Sequence, residues 1–469
     1  MSYSAAERIR AAARPAAAIA FVAAGGACGG EPPTVIDGDL AFVNVNVVPM
    51  DTERILEGHT VVVEDGRITA VAPSISLEPA EGVDVIEGEG RYLVPGLTEM
   101  HGHLPSPRLT DADIGNLLFL YVANGVTTVR GMQGDRSQFA LRDQIDRGLL
   151  LGPRLFLGSV SMNGNSVTTP EQASQLAREY KVSGFDLIKT HEGLSLETFD
   201  ALADTATQIG IPFGGHVSDF VGLRHALARG QASIDHLDNY VEALASKDTR
   251  AADERGLIGV GLLLDQVDES RIPELVDATV AAGAWVVPTM VLWETAFFND
   301  RGSVDVLPDR PEVKYMPPET VDRWRRAVDM RLGASDVDTN RQVAALRRMI
   351  LKALHDGGAN IALGTDSPQI FSVPGFAMHH EMALYVDLGM TPYEVLEIAT
   401  RRPAEYFGAA DDFGTIAVGR RADLLMLSAN PLDDIANAAA RAGVMVSGRW
   451  IPGEDVAQRL ARIASFYGN

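Results

Sequence analysis

The stretch Leu93-Val94-Pro95-Gly96-Leu97-Thr98-Glu99-Met100-His101-Gly102-His103 closes an apolar, strand-forming run on two histidines. Residues two apart on a strand project to the same side. His101 and His103 are therefore placed to bind one cation together, with Gly102 leaving room between them. The part from Leu97 to His103 is followed by seven more short apolar runs: Val126 to Arg130, Arg154 to Val160, Asp186 to His191, Ile211 to Val217, Ala232 to Leu237, Trp285 to Leu292 and Asn360 to Asp366. Helical patterns separate them, which is the layout of parallel strands with crossover helices. Eight such units predict an α/β fold, a (β/α)8 TIM barrel over residues 95–411, in preference to an open sheet.

Outside this region the pattern changes to short strands and turns. Leu40 to Val45, Thr60 to Glu64 and Arg67 to Val71 read as strands, with a turn at Asp65-Gly66. Similar all-β text returns at Ala422 to Leu427 and Gly443 to Trp450. Residues 37–94 and 412–453 are expected to share one small β-sandwich domain, and 454–469 to form a C-terminal helix. One long connection, 293–338, carries several prolines, Trp324 and many charges; it is expected to be either a lid or a disordered insert.

The chain of 469 residues suits one large and one small domain, and 46% hydrophobic with 22% charged residues is a soluble, core-forming composition. A formal net charge of -23 without a Lys/Arg cluster argues against nucleic acid as a partner. The first residues differ: Arg8, Arg10 and Arg14 precede an Ala-rich apolar run from Pro15 to Ala27, the layout of an export signal. The run is too short to span a bilayer. Cys28 is the lone cysteine, after Gly25, Gly26 and Ala27, and this resembles a bacterial lipoprotein cleavage site. Residues 1–36 are thus expected to be an export signal and linker, with an exported, periplasmic or membrane-anchored destination and any membrane contact through Cys28. No internal disulfide is available.

Metal-competent side chains fall at the C-terminal ends of the predicted strands. His101 and His103 close the first run, Lys189 lies near the end of the fourth, His216 of the fifth, His236 of the sixth, and Asp366 closes the eighth. In barrel enzymes that face holds the active site. A lone histidine at a strand end is weak evidence, but this set on separate strands is not.

The segments Leu93 to His103, Ile234-Asp235-His236 and Gly364-Thr365-Asp366-Ser367 resemble the amidohydrolase superfamily. The tail from Gly414 to Leu424, followed by Asn430-Pro431-Leu432, is similar to its imidazolonepropionase-like and Xaa-Pro-dipeptidase-like branch. The resemblance implies that His101, His103 and Asp366 bind a first divalent metal and His216 and His236 a second. It implies that Lys189 bridges both as a carbamate formed with carbon dioxide, since a free ammonium cannot ligate a cation. Zinc is the default for imidazole-rich sites, although manganese, cobalt or iron also suit mixed His and carboxylate ligation. Two ions roughly 3.5–4 Å apart can hold hydroxide and polarise a carbonyl. Asp366 would be ligand and proton acceptor, returning the proton to the leaving nitrogen.

The implied reaction is hydrolysis of an amide or peptide C–N bond, in a dipeptide or N-acyl amino acid, with a small molecule as the partner and self-association left open. Arg130 beside Gly131 reads either as a bidentate clamp for a substrate carboxylate or as half of a structural salt bridge. Asn163 and Asn165 occupy a loop where many relatives carry Gly-Gly-His, and they are candidate substrate contacts, as is His379 after the eighth run. A single-metal deaminase or cyclic-amide hydrolase is the alternative, which Lys189 opposes. A barrel that has lost catalysis and only binds is the remote one.

Overall fold

The computed structural model describes residues 32–245, 263–297, 304–332 and 336–468. The region expected to be an export signal, with Cys28, lies outside these residues except for its last few positions. Of those, Thr34–Ile36 is a strand paired in parallel with Leu77–Pro79. Among the described residues no helix is long and apolar enough to cross a membrane.

The eight apolar runs all yield parallel strands, shorter than the runs in every case except Val126–Gly131, which extends one residue beyond its run. Leu97–Gly102, Val126–Gly131 and Arg154–Leu157 form a three-stranded sheet. Ile188–Thr190, Phe213–Gly215, Ser233–Asp235, Trp285–Val287 and Asn360–Ile361 form a five-stranded one in chain order. Parallel bridges meet at both seams, Gly158 with Leu187 and Gly102 with Ser367. Backbone bonds accompany them: Ser159 N–H donates to Leu187 O at 2.9 Å and Met100 N–H to Leu363 O at 2.9 Å. The strands are apolar because helices cover them, as parallel sheets require. Helices such as Pro170–Ser183 and Leu196–Ile209 turn Ala173, Ala177, Phe199 and Leu202 inward, and each ends on a left-handed glycine, Gly184 or Gly210.

The two chain ends meet in one mixed eight-stranded sheet. Its order runs Arg449–Pro452, Arg441–Val446, Leu424–Leu427, Tyr92–Pro95, Leu40–Val47, Leu56–Glu64, Arg67–Pro73, with Asp84–Glu87 paired beside Leu40–Val47. A sandwich was the expectation; the hydrogen bonding gives this sheet and a two-stranded companion. Strand alternation explains its two buried faces, Phe42, Val61 and Val63 on one, Ala41 and Val62 on the other. The Asp65-Gly66 turn has positive φ at both residues, 49° and 70°, as a two-residue hairpin with right-handed strand twist demands. The C-terminal helix spans Gly453–Phe466.

The 293–338 connection is neither irregular nor loose where it is described. It contains the helix Pro318–Leu332, and Val313, Met316, Trp324 and Val328 are buried with Leu117, Leu120, Phe371 and Ile463. Its heptad-like apolar positions were masked in the sequence by the prolines and charges around them.

The end sheet is locked to the parallel strands at Gly125, whose φ is +83° and whose absent Cβ would lie 2.2 Å from the buried Leu425 Cδ2. Gly125→Ala should combine left-handed strain of about 1–2 kcal/mol with overpacking of about 1–3 kcal/mol. Thermal unfolding should show a clearly lowered midpoint; an unchanged midpoint would contradict this packing.

Candidate metal centre

The predicted ligands converge beyond the strand ends. His101 leaves its strand with Nδ1–H donating to Asp235 Oδ2 at 2.6 Å, and its Nε2 lies 3.3 Å from Lys189 Nζ and 3.7 Å from Asp366 Oδ1. His103 Nε2 is 2.9 Å from the same Asp366 oxygen. The ring centroid of His236 lies 4.4 Å from that of His101 and 4.3 Å from that of His216. One ligand atom each from His101, His103 and Asp366 lie within 4.8 Å of one another, and so do those of Glu192, His216 and Asp238.

Each inner histidine is oriented through Nδ1. Asp235 holds His101, Asp238 Oδ2 holds His216 at 2.7 Å, and Thr289 Oγ1 holds His236 at 2.8 Å. An acceptor at Nδ1 places the proton there and leaves the Nε2 lone pair for a cation, the usual outer arrangement of metal-bound histidine. Burial pulls His101 and His236 well below the usual imidazole range and His216 to about 3, with Lys189 or neighbouring rings adding to the effect. Burial pushes Asp238 upward, opposed by Arg347 and the Val217 N–H; a cation on His216 would favour its ionised form.

The donor set fits divalent metal. Among the described residues, His236 Nε2 is a buried side-chain atom with no hydrogen-bond partner, and Asp366 Oδ1, although 2.9 Å from His103 Nε2, has none in hydrogen-bond geometry. Buried polar atoms are nearly always satisfied, so two orphans facing one centre call for a ligand. Lys189 is buried, and burial lowers its amine below the usual lysine range, against the pull of Asp235 and Asp366. Gly215 makes room for it: φ there is +124°, and a Cβ would stand 2.7 Å from Lys189 Cδ.

The backbone is bent to serve these contacts. Asp366 and His236 are left-handed, with φ of 60° and 64°, a conformation uncommon outside glycine. Asp366 N–H donates to His101 O at 2.7 Å, and Gln369 Nε2 donates to Asp366 Oδ2 at 2.9 Å. Glu99 binds the first and eighth segments together, accepting from His101 N and Thr365 N at 2.9 Å each and from the Thr365 hydroxyl. Burial raises its carboxyl to about 7. The sequence reading passed over Glu99, Asp235, Asp238 and Thr289; the only signal for the first three was closeness to ligands, as in Asp235-His236, and Thr289 had none.

The expected substrate contacts fare differently. Arg130 is fully buried: Nη2 donates to both oxygens of Asp235, at 2.9 and 3.2 Å, Nη1 to Ser233 Oγ and Tyr406 Oη, and Nε to Met100 O. These contacts make Arg130 half of a buried salt bridge, and it is not among the residues that line the cavity. Asn163 closes a local turn, its Oδ1 accepting from Asn165 N and Ser166 N, and neither asparagine lines the cavity. His379 sits in the helix Phe376–Asp387, not in a loop, with Nε2 at 3.1 Å from both Asn124 O and Arg441 Nη1, away from the centre. The cavity over the ligands has a volume of about 670 Å³ and is walled by His191, Glu192, Trp293 and Arg347 besides His103, Lys189, His216 and Asp366.

Arg130→Met should strand the Asp235 carboxylate and cost about 3–5 kcal/mol, since breaking one half of a buried pair leaves an unpaired charge. Calorimetry should show a marked loss of thermal stability. A clamp would instead raise KM and leave the unfolding midpoint where it was.

Three comparisons bear on this centre. The chain is 24% identical over 393 residues to an adenine deaminase of Ruegeria sp. (strain TM1040), covering 83% of this chain and 54% of that protein. It is 23% identical over 432 residues to a 5-methylthioadenosine/S-adenosylhomocysteine deaminase of Caldanaerobacter subterraneus, covering 86% of this chain and 88% of that one. The chain thus spans about half the length of the adenine deaminases it matches. Among solved structures, a prolidase-like protein from Bifidobacterium longum superposes with a TM-score of 0.66 and 26% identity, over 91% of this chain and 98% of that one. The amidohydrolase family profile matches residues 92–451, from the strand before His101 to the last strand of the end sheet. The chain belongs to the amidohydrolase family.

Proposed function

We propose that this protein is a two-metal amidohydrolase that cleaves an amide or peptide bond of a dipeptide or N-acyl amino acid. The observation that carries the reading is Lys189, buried with Nζ 3.3 Å from His101 Nε2 beside the orphaned Asp366 Oδ1 and His236 Nε2. The eight parallel strands are taken to close into one (β/α)8 barrel, supported by the bridges at both seams, with the centre at its C-terminal mouth.

His101, His103 and Asp366 would hold one divalent cation, zinc by default, and His216 and His236 the other. A neutral Lys189 amine, adding to carbon dioxide with loss of a proton, would become a carbamate able to hold both cations together with those side chains. When bound, the cations supply Lewis acidity and bring a water molecule near its deprotonation point. Asp366 takes that proton and delivers it to the leaving nitrogen as the C–N bond breaks. Buried walls around Lys189 exclude bulk water, which strengthens each of these charge interactions.

A second reading is hydrolytic deamination at a single metal, favoured by the names of the curated relatives. A screen separates the two: metal-loaded protein is offered dipeptides, N-acyl amino acids, adenine and 5-methylthioadenosine. Release of an amino acid from the amides is expected. Ammonia from the purines with no amide turnover would establish the deaminase instead. Lys189→Ala should lose nearly all amide turnover and about half its metal, and propionate should restore part of both by returning a carboxylate to the gap. Lys189→Arg should stay inactive with propionate, because guanidinium fills the gap and remains charged.

A further inference from the structure

His191 stands two residues beyond Lys189, in the wall of the same cavity, with its ring centroid 4.2 Å from that of His216. Its hydrogen bonding is the reverse of its neighbours'. His101 and His216 each meet a carboxylate at Nδ1 and His236 a hydroxyl, whereas the backbone N–H of Glu192 donates to His191 Nδ1 at 2.8 Å. Neutral imidazole carries one proton, and a ring accepting at Nδ1 must carry it at Nε2. Ligation through Nε2 would move the proton to Nδ1 and set two N–H groups against each other. His191 is therefore built as a donor rather than as a further metal ligand, and no described residue accepts from its Nε2–H.

The loop that presents it is braced from the loop that follows the neighbouring strand Arg154–Leu157. His191 N–H donates to Met162 O at 2.9 Å and Gly164 N–H to Glu192 O at 3.0 Å. Gly164 packs so closely that a Cβ there would lie 2.1 Å from Gly193 O.

We propose that His191 is a further catalytic residue, donating its Nε2–H to the oxygen of the scissile carbonyl. As the water oxygen bonds to the carbonyl carbon, the C=O pair moves onto that oxygen and the fixed N–H stabilises the charge. When the pair returns, the C–N bond breaks and the proton held by Asp366 goes to nitrogen. His191 gains and loses no proton. The assignment rests on the hydrolytic reading given above, but its tautomer does not.

Two measurements test it on the zinc-loaded, full-length protein. With the dipeptide that the wild type hydrolyses fastest, His191→Ala should lower kcat roughly hundredfold, as loss of one oxyanion donor does, with KM changed by less than about threefold and metal content intact. His191→Gln, which keeps an N–H donor, should recover part of the loss. Unchanged kcat in a folded His191→Ala overturns the proposal, and so does loss of metal, which would make His191 a ligand. Nitrogen-15 spectra of histidine-labelled wild-type protein, assigned with the Gln variant, read the ring directly. A protonated Nε2 is expected; a protonated Nδ1 overturns the proposal even if no variant folds. A protein that turns over no amide yet shows the Nε2–H ring would refute the hydrolytic reading and with it this role, while leaving the fixed donor in place.

Discussion

The carboxylate of Asp235 is the contact on which the centre depends. It is completely buried, and it accepts from His101 Nδ1 on one side and from the Arg130 guanidinium on the other. A buried ion pair is tolerable only when both charges are fully hydrogen-bonded, and here nearly every Arg130 donor is used. Arg130 belongs to the second strand, Met100 to the first, Ser233 and Asp235 to the sixth. One guanidinium therefore fixes three strands against each other and, through Asp235, the direction of the His101 ring.

The same logic recurs outward from His101. Asp238 and Thr289 orient His216 and His236, and Thr289 Oγ1 also accepts from Trp293 Nε1 at 3.1 Å. Arg347 lies 4.8 Å from the Trp293 ring and donates to His236 O at 2.6 Å. The cavity wall is thus assembled on the backbone and side chain of a candidate ligand. Packing that fills the cavity and packing that aims the ligand are thus one structure. The left-handed backbone at His236, Thr289 and Asp366 concentrates strain at this mouth, where local contacts over-determine it.

Much of this was legible in the sequence because it follows from periodicity. His101 and His103 share a strand face, and His216, His236 and Asp366 follow apolar runs that had to be strands. The strands stop earlier than the runs suggest, at Ile361 in the last case, because the chain then turns left-handed to deliver Asp366. What could not be read is pairing across the fold. Nothing near Arg130 in sequence names Asp235, more than a hundred residues away. The sequence marks His191 only as the end of the fourth run, and its meaning lies in a backbone N–H that only the folded loop supplies. The 293–338 connection looked irregular because prolines and charges surround its periodic apolar positions, whose packing partners are distant in sequence.

The central claim is that Lys189 joins two cations. Diffraction from crystals of the metal-loaded protein, recorded at the zinc absorption edge, tests it most directly. Two anomalous peaks roughly 3.5–4 Å apart, with branched density extending Lys189 Nζ between them, are the predicted result. One peak on His101, His103 and Asp366, with an unmodified lysine beside it, would contradict the account.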